Sequence, residues 1–89
     1  MRRVVVNENY QIEYGEAALE DLDQLPAKQR AQILRKIQRL RHGLHGDIKR
    51  LRESEIAYRL RMGDYRVLFD VQEGVIVIRR VGHRKNIYE

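Results

Sequence analysis

Tyr58-Arg59-Leu60-Arg61-Met62-Gly63-Asp64-Tyr65-Arg66-Val67-Leu68-Phe69 is the stretch on which the fold of this chain turns. Apolar residues alternate on both sides of Gly63-Asp64, the pattern of two strands that each bury one face. A two-residue Gly-Asp connection predicts a tight hairpin and sets its register. Met62 then pairs with Tyr65, Arg61 with Arg66, Leu60 with Val67, Arg59 with Leu68 and Tyr58 with Phe69. Side chains alternate along a strand, so the apolar partners share one face, and Arg59, Arg61 and Arg66 share the other. Arg61 and Arg66 stand directly opposite each other. Like charges so placed destabilise a sheet by some tenths of a kcal/mol. Selection for stability alone disfavours that pair; an anion held between the two guanidinium groups reverses the sign. The bland reading is that both splay into water or pair with Asp70.

Working outward, Glu73-Gly74 predicts a second tight turn and Val75 to Val81 a nearly all-apolar central strand. A two-residue turn there pairs Leu68 with Arg79 and Arg66 with Val81. That places Arg79 and His83 on the cationic face, with His83 at its rim; a three-residue turn would swap the parity. The tail from His83 to Glu89 leaves the sheet. Upstream, the first hairpin strand extends back to Ile56, Ile48 to Arg52 reads as a short strand, and Tyr10 to Tyr14 as the first. Between these lie two helical stripes. Ala18, Leu22 and Leu25 mark the first. Pro26 ends that helix and suits the first turn of the next. Ile33, Ile37, Leu40 and Leu44 mark the second, from Ala27 to Arg41, with Lys28, Arg30, Arg35, Lys36, Arg39 and Arg41 largely elsewhere on the wheel. Gly43 and Gly46 close it. The expected class is α+β, in the order β-α-α-β-β-β, with the 48–52 segment as an additional short strand. A helical hairpin covers one face of a mostly antiparallel four- to five-stranded sheet, and the other face is left to solvent.

The 89 residues suffice for a single domain, 1–89. A chain this size buries about 60–65% of its unfolded surface, so a shallow face is expected rather than a deep pocket. The net charge is +5, the sequence pI is about 9.9, and 14 of the 18 cations are Arg. Arginine offers a planar fork that grips phosphate with two hydrogen bonds, which suits a polyanionic partner. The absence of cysteine excludes disulfides, thiolate metal sites and a Cys nucleophile, and favours the cytoplasm. No apolar run reaches membrane-spanning length, and the apolar part of Met1 to Asn7 is too short for a signal peptide. The carboxylates are scattered, and no phosphate-binding or dinucleotide glycine pattern occurs, so neither metal nor cofactor is expected.

RNA can be cut without metal when its 2′-hydroxyl attacks the adjacent phosphate. The enzyme must then accept one proton, donate another, and stabilise a phosphorane, for which preorganised cations serve. His83 is the one histidine near the arginines, and histidine changes charge near neutral pH. A lone histidine is more often structural or surface than catalytic, but these neighbours favour the catalytic reading. His42 and His45 read as a helix cap or surface. Tyr88 could stack on a base or lend its hydroxyl; the alternative is a hydrophobic latch for the tail.

With those residues in place the chain resembles the RelE/ParE superfamily of toxin–antitoxin toxins, its RelE branch above all. The resemblance runs from Tyr10 to Tyr88. It rests on Leu22-x-x-Leu25-Pro26 before a basic helix, then Tyr58-Arg59-Leu60-Arg61, Gly63 to Phe69, Val81-Gly82-His83-Arg84 and Ile87-Tyr88. It implies a metal-independent endoribonuclease that cuts messenger RNA in the ribosomal A site. It also implies an acidic, RelB-like antitoxin that wraps the toxin in a hetero-oligomer. RelE-type sites carry basic residues where Arg59, Arg61, Arg66 and Arg84 stand, and a tyrosine near the position of Tyr88. The implied catalytic set is Arg61, Arg66, His83, Arg84 and Tyr88, with Arg59, Arg79, Lys49 and Lys85 binding RNA. Two departures matter: Arg59 and Arg61 stand where the best-known member has lysines, and His83 follows the glycine in place of a lysine. Arginine is a poor proton donor, which directs the acid–base work toward His83. A ParE-like toxin that poisons DNA gyrase without cutting RNA is the competing reading. A non-catalytic nucleic-acid-binding accessory is the third.

Overall fold

The hairpin forms with the register its turn dictates: Met62 pairs with Tyr65, Arg61 with Arg66, Leu60 with Val67, Arg59 with Leu68 and Tyr58 with Phe69. It is the centre of a computed structural model that describes residues 9–87. The elements are β1 (Gln11–Tyr14), α1 (Glu16–Asp23), α2 (Ala27–Arg39), a 3-10 turn (Leu40–His42), β2 (Ile48–Arg50), β3 (Tyr58–Met62), β4 (Tyr65–Gln72) and β5 (Val75–His83). The sheet order is β1-β5-β4-β3-β2, with β1 parallel to β5 and every other pairing antiparallel.

Pro26 separates the helices as expected. Its φ of −56° suits the entry to α2, while Leu25 closes α1 through a backbone bond to Leu22 O at 3.2 Å. The two helices cover the face that carries Leu60, Val67 and Phe69. Ala18, Leu22, Ile33, Ile37 and Leu40 from the helical layer complete a core with those three and Ile76, Ile78 and Val81. Tyr58 packs against this core, its ring stacked on that of Phe69 at 5.3 Å. The α+β architecture and the buried face are thus the expected ones. Two strands are shorter than their sequence pattern. β2 ends at Arg50 and β3 begins at Tyr58, because Leu51 and Ala57 instead close a loop through a 2.7 Å backbone bond.

The β4–β5 register corrects the expectation for the C-terminal strand. Gln72 pairs with Val75, so Glu73-Gly74 is a two-residue turn, with φ of 49° and 81°. The ladder then slips by one residue: Phe69 pairs with Ile78, but Leu68 pairs with Arg80, Arg66 with Gly82 and Tyr65 with His83. Arg79 is the extra residue of a β-bulge. The cause is visible in the apolar spacing. Strict alternation after Ile76 and Ile78 would turn Arg80 into the core and Val81 out of it, and an unpaired buried charge is prohibitive. The bulge returns Val81 to the core, where it is 3% exposed. It also moves His83 off the arginine face and onto the face of Tyr65.

Candidate nucleic-acid interface

The sheet face opposite the helices is built in rows. Lys49, Arg59, Leu68 and Arg80 are successive partners across β2, β3, β4 and β5. The next row is Arg61, Arg66 and Gly82. Glycine at the end of that row leaves no side chain beside Arg66, and a Cβ there would meet Ile87 only at 3.8 Å. This face is less solvated than an unpaired sheet face should be. Leu68 is 2% exposed and the Arg59 side chain 14%, so Arg59 lies along the sheet rather than into water.

Carboxylates that the sequence reading did not single out organise the arginines. Asp47 accepts from Arg61 Nε at 2.6 Å and from Arg59 Nη2 at 3.5 Å. Its position is set by the backbone, since Arg61 N donates to Asp47 O at 2.9 Å and so prolongs the β2–β3 ladder by one residue. At the hairpin turn, Arg84 N donates to Asp64 O at 2.7 Å, and Arg84 Nε lies 3.5 Å from Asp64 Oδ1. Arg66 Nη1 donates to Gly63 O and Tyr65 O at 2.8 and 3.0 Å, folding its guanidinium back over the same turn. The turn therefore gathers Arg66 and Arg84, with Arg61 across the strand and Arg59 beside it. Arg79 is on this face but beyond the bulge, where Asp70 holds it at 2.9 Å. Asp70 also accepts from Ala57 N at 2.8 Å. Asp70, the bland reading's partner for Arg61 or Arg66, is taken by Arg79, and Arg61 takes Asp47. Lys85 is exposed beyond the sheet. Tyr88 lies outside the described residues.

His83 occupies a groove at the free edge of β5. β1 ends opposite Ile78, so among the described residues no strand lies beyond the next residues of β5. Asp21 of α1 takes that role. It accepts from Val81 N at 2.9 Å and from Arg80 Nε and Nη2 at 2.8 and 3.2 Å. This hydrogen-bonded carboxylate pushes the Arg80 guanidinium above its usual range. The groove of about 430 Å³ next to that clamp is lined by Gln24, Leu25, Tyr65, His83, Asn86 and Ile87, among others. The His83 ring meets Tyr65 edge-on at 5.5 Å, and its Nδ1 accepts from Lys85 N at 3.2 Å. A neutral imidazole so bonded carries its proton on Nε2. Among the described residues, no three His, Asp or Glu side chains come together as a metal site.

Arg61 and Arg84, held by exposed carboxylates, can exchange those partners for a phosphodiester, because exposed ion pairs are weak. No local signal in the sequence marked Asp47, because only the pairing of β2 with β3 brings it to Arg59 and Arg61. The signal for the bulge was the step from Ile78 to Val81, three residues in place of two.

Known proteins of one family resemble this chain in sequence and fold. Residues 12–88 match the family described as ParE toxin of type II toxin–antitoxin system, parDE. The chain is 30% identical over 86 residues to the putative toxin RelE1 of Methanocaldococcus jannaschii, covering 90% of this chain and 96% of the relative. It is 44% identical over 43 residues to Toxin RelE3 of that organism, where the match spans 48% of this chain and about half, 49%, of the relative. Among solved structures, the RelB–RelE antitoxin–toxin complex from Methanococcus jannaschii superposes with a TM-score of 0.72 at 31% identity. That match covers 85% of this chain and 94% of its counterpart. Among the described residues, no helix is long and apolar enough to cross a membrane.

Proposed function

Since the chain belongs to the RelE/ParE superfamily of type II toxin–antitoxin toxins, we propose that it is a metal-independent endoribonuclease that cuts messenger RNA in the ribosomal A site. The observation that carries this reading is the cross-strand pair Arg61–Arg66 beside Arg84 at one turn. In the proposed reaction the 2′-hydroxyl attacks the adjacent phosphorus and the P–O5′ bond breaks, leaving a 2′,3′-cyclic phosphate and a free 5′-hydroxyl. Arg61, Arg66 and Arg84 stabilise the charge that builds on the phosphorane oxygens, while Arg59, Lys49, Arg79 and Lys85 hold flanking phosphates. Proton transfer falls to Tyr88 or to His83, which the bulge has turned to the sheet face opposite the arginines and which must therefore act around the edge of β5. The toxin acts in the cytoplasm and is silenced by a RelB-like, acidic antitoxin that wraps the domain. The RelB–RelE antitoxin–toxin complex of M. jannaschii supports an antitoxin as partner.

The match to the ParE family favours one alternative, inhibition of DNA gyrase without RNA cleavage. Cleavage mapped on translating ribosomes separates the two. The Arg61→Ala/Arg66→Ala double variant should lose at least about a hundredfold in rate and lose its toxicity. Full toxicity in that variant, with gyrase-linked DNA breaks, would replace the ribonuclease by the gyrase poison.

A further inference from the structure

The positive charge of this protein is not where its candidate active site is. Residues 27–46 hold six Lys or Arg and no Asp or Glu, a net of +6; the rest of the chain holds 12 cations against 13 acids, a net of −1. The whole excess of +5 therefore resides in α2 and the turn that follows it. On the sheet, Arg59, Arg61, Arg79, Arg80 and Arg84 each have an aspartate partner. On α2, Lys28, Arg35 and Arg39 have no ion-pair partner among the described residues.

These three, with His42, lie on one line of the helix opposite Ile33, Ile37 and Leu40, and all four are exposed. From Lys28 to Arg39 the line runs about 16 Å. The remaining exposed positions beside it are Ala31, Gln32 and Gln38. Helix stability does not account for this pattern. Cations in the last turn suit the helix dipole, but Lys28 stands in the first turn, where the dipole repels it and no acid is present. Arg35 and Arg39 repel each other at i, i+4.

We infer that the outer face of α2 is a second, separate RNA-binding surface, one that grips the phosphate backbone of structured, double-stranded RNA without reading its sequence. Lys, Arg and Gln are the side chains that contact phosphate and sugar. A peptide partner is disfavoured because the line offers no aromatic or aliphatic anchor. The helices and the arginine face are opposite layers of the domain. A single short strand therefore cannot lie on both, and the protein engages two segments of a folded RNA. The inference rests on the proposed ribonuclease reading only for the class of partner.

The test uses the full chain and two variants, Lys28→Gln/Arg35→Gln/Arg39→Gln and Arg61→Ala/Arg66→Ala. Affinity for a labelled RNA duplex is measured over a salt series, and messenger-RNA cleavage on programmed ribosomes separately. Glutamine is a good helix former, so the triple variant should melt no lower than the parent. It should lose about thirtyfold or more in duplex affinity near physiological salt, and its salt slope should fall by about two to three. The double-alanine variant should bind duplex within threefold of the parent. Duplex binding unchanged in the triple variant overturns the inference whatever happens to cleavage. Tighter binding of polyglutamate than of duplex at α2 also overturns it, in favour of an acidic protein. Duplex binding through α2 with no cleavage by the parent overturns the ribonuclease reading alone.

Discussion

Replacing Asp47 by Asn tests whether the arginine cluster is poised for an outside anion or merely neutralised within the fold. Asp47 sits 2.6 Å from Arg61 Nε and 3.5 Å from Arg59 Nη2. In water, unit charges at the shorter distance attract by about 1.6 kcal/mol. The Arg61 and Asp47 side chains are 56% and 46% exposed, so screening and side-chain entropy reduce such a pair to about 0–1 kcal/mol. Asparagine keeps the backbone acceptor for Arg61 N and a side-chain acceptor for one guanidinium. The expected cost is therefore under about 1 kcal/mol, or a melting shift of less than about 8 °C for a domain this small. Function should move the other way. Asp47 competes with phosphate for two arginines, so its removal should raise single-stranded RNA affinity about fivefold and steepen the salt slope by about 0.7. Melting curves and a salt-dependent binding series on the same preparations give both numbers. A tenfold loss of RNA affinity at unchanged melting temperature would refute the reasoning. Asp47 would then be an organiser that aims Arg61, and the cluster would not work as exchangeable cations.

Asp21→Ala removes the acceptor for Val81 N and for both bonds from Arg80; it should cost about 2–3 kcal/mol in denaturant unfolding, and Asp21→Asn should recover part of that. Amide exchange at Val81 should accelerate in the alanine variant, and an unchanged rate would deny Asp21 its role at the sheet edge. His83→Gln should slow cleavage by about a hundredfold while RNA affinity stays within twofold; a loss under threefold would transfer the proton chemistry away from His83. Tyr88→Phe should then carry the defect, whereas full activity of both variants would leave neither residue with a proton-transfer role. Burial pushes the Tyr14 phenol above its ordinary value of 10.0, against a smaller opposing effect of its hydrogen bond with Gln38. The folded state thus keeps that proton longer than the unfolded one, so the stability involved is complete below pH 10 and is lost as pH rises through the folded value. Tyr14→Phe should flatten this alkaline decline in melting temperature, and an equally steep decline would exclude Tyr14 as its source.

Local chemistry determined the hairpin, the helical pair and the pairing of Arg61 with Arg66. A two-residue turn permits a single register, alternation then assigns every side chain to a face, and Pro26 permits no continuous helix. The reach of that logic ended at Arg79. A bulge inserts one residue without changing the turn, and the choice between burying Arg80 and burying Val81 was made by the helices packed against that face. His83 consequently emerges beside Tyr65 rather than Arg66. Tertiary structure alone also assigned the counter-ions. Asp21 is 59 residues from Arg80 in the chain, and Asp47 reaches two arginines because β2 pairs with β3. Sequence order carries no record of such distances, since ion pairs between exposed side chains are too weak to direct folding and form where packing has already brought the elements together.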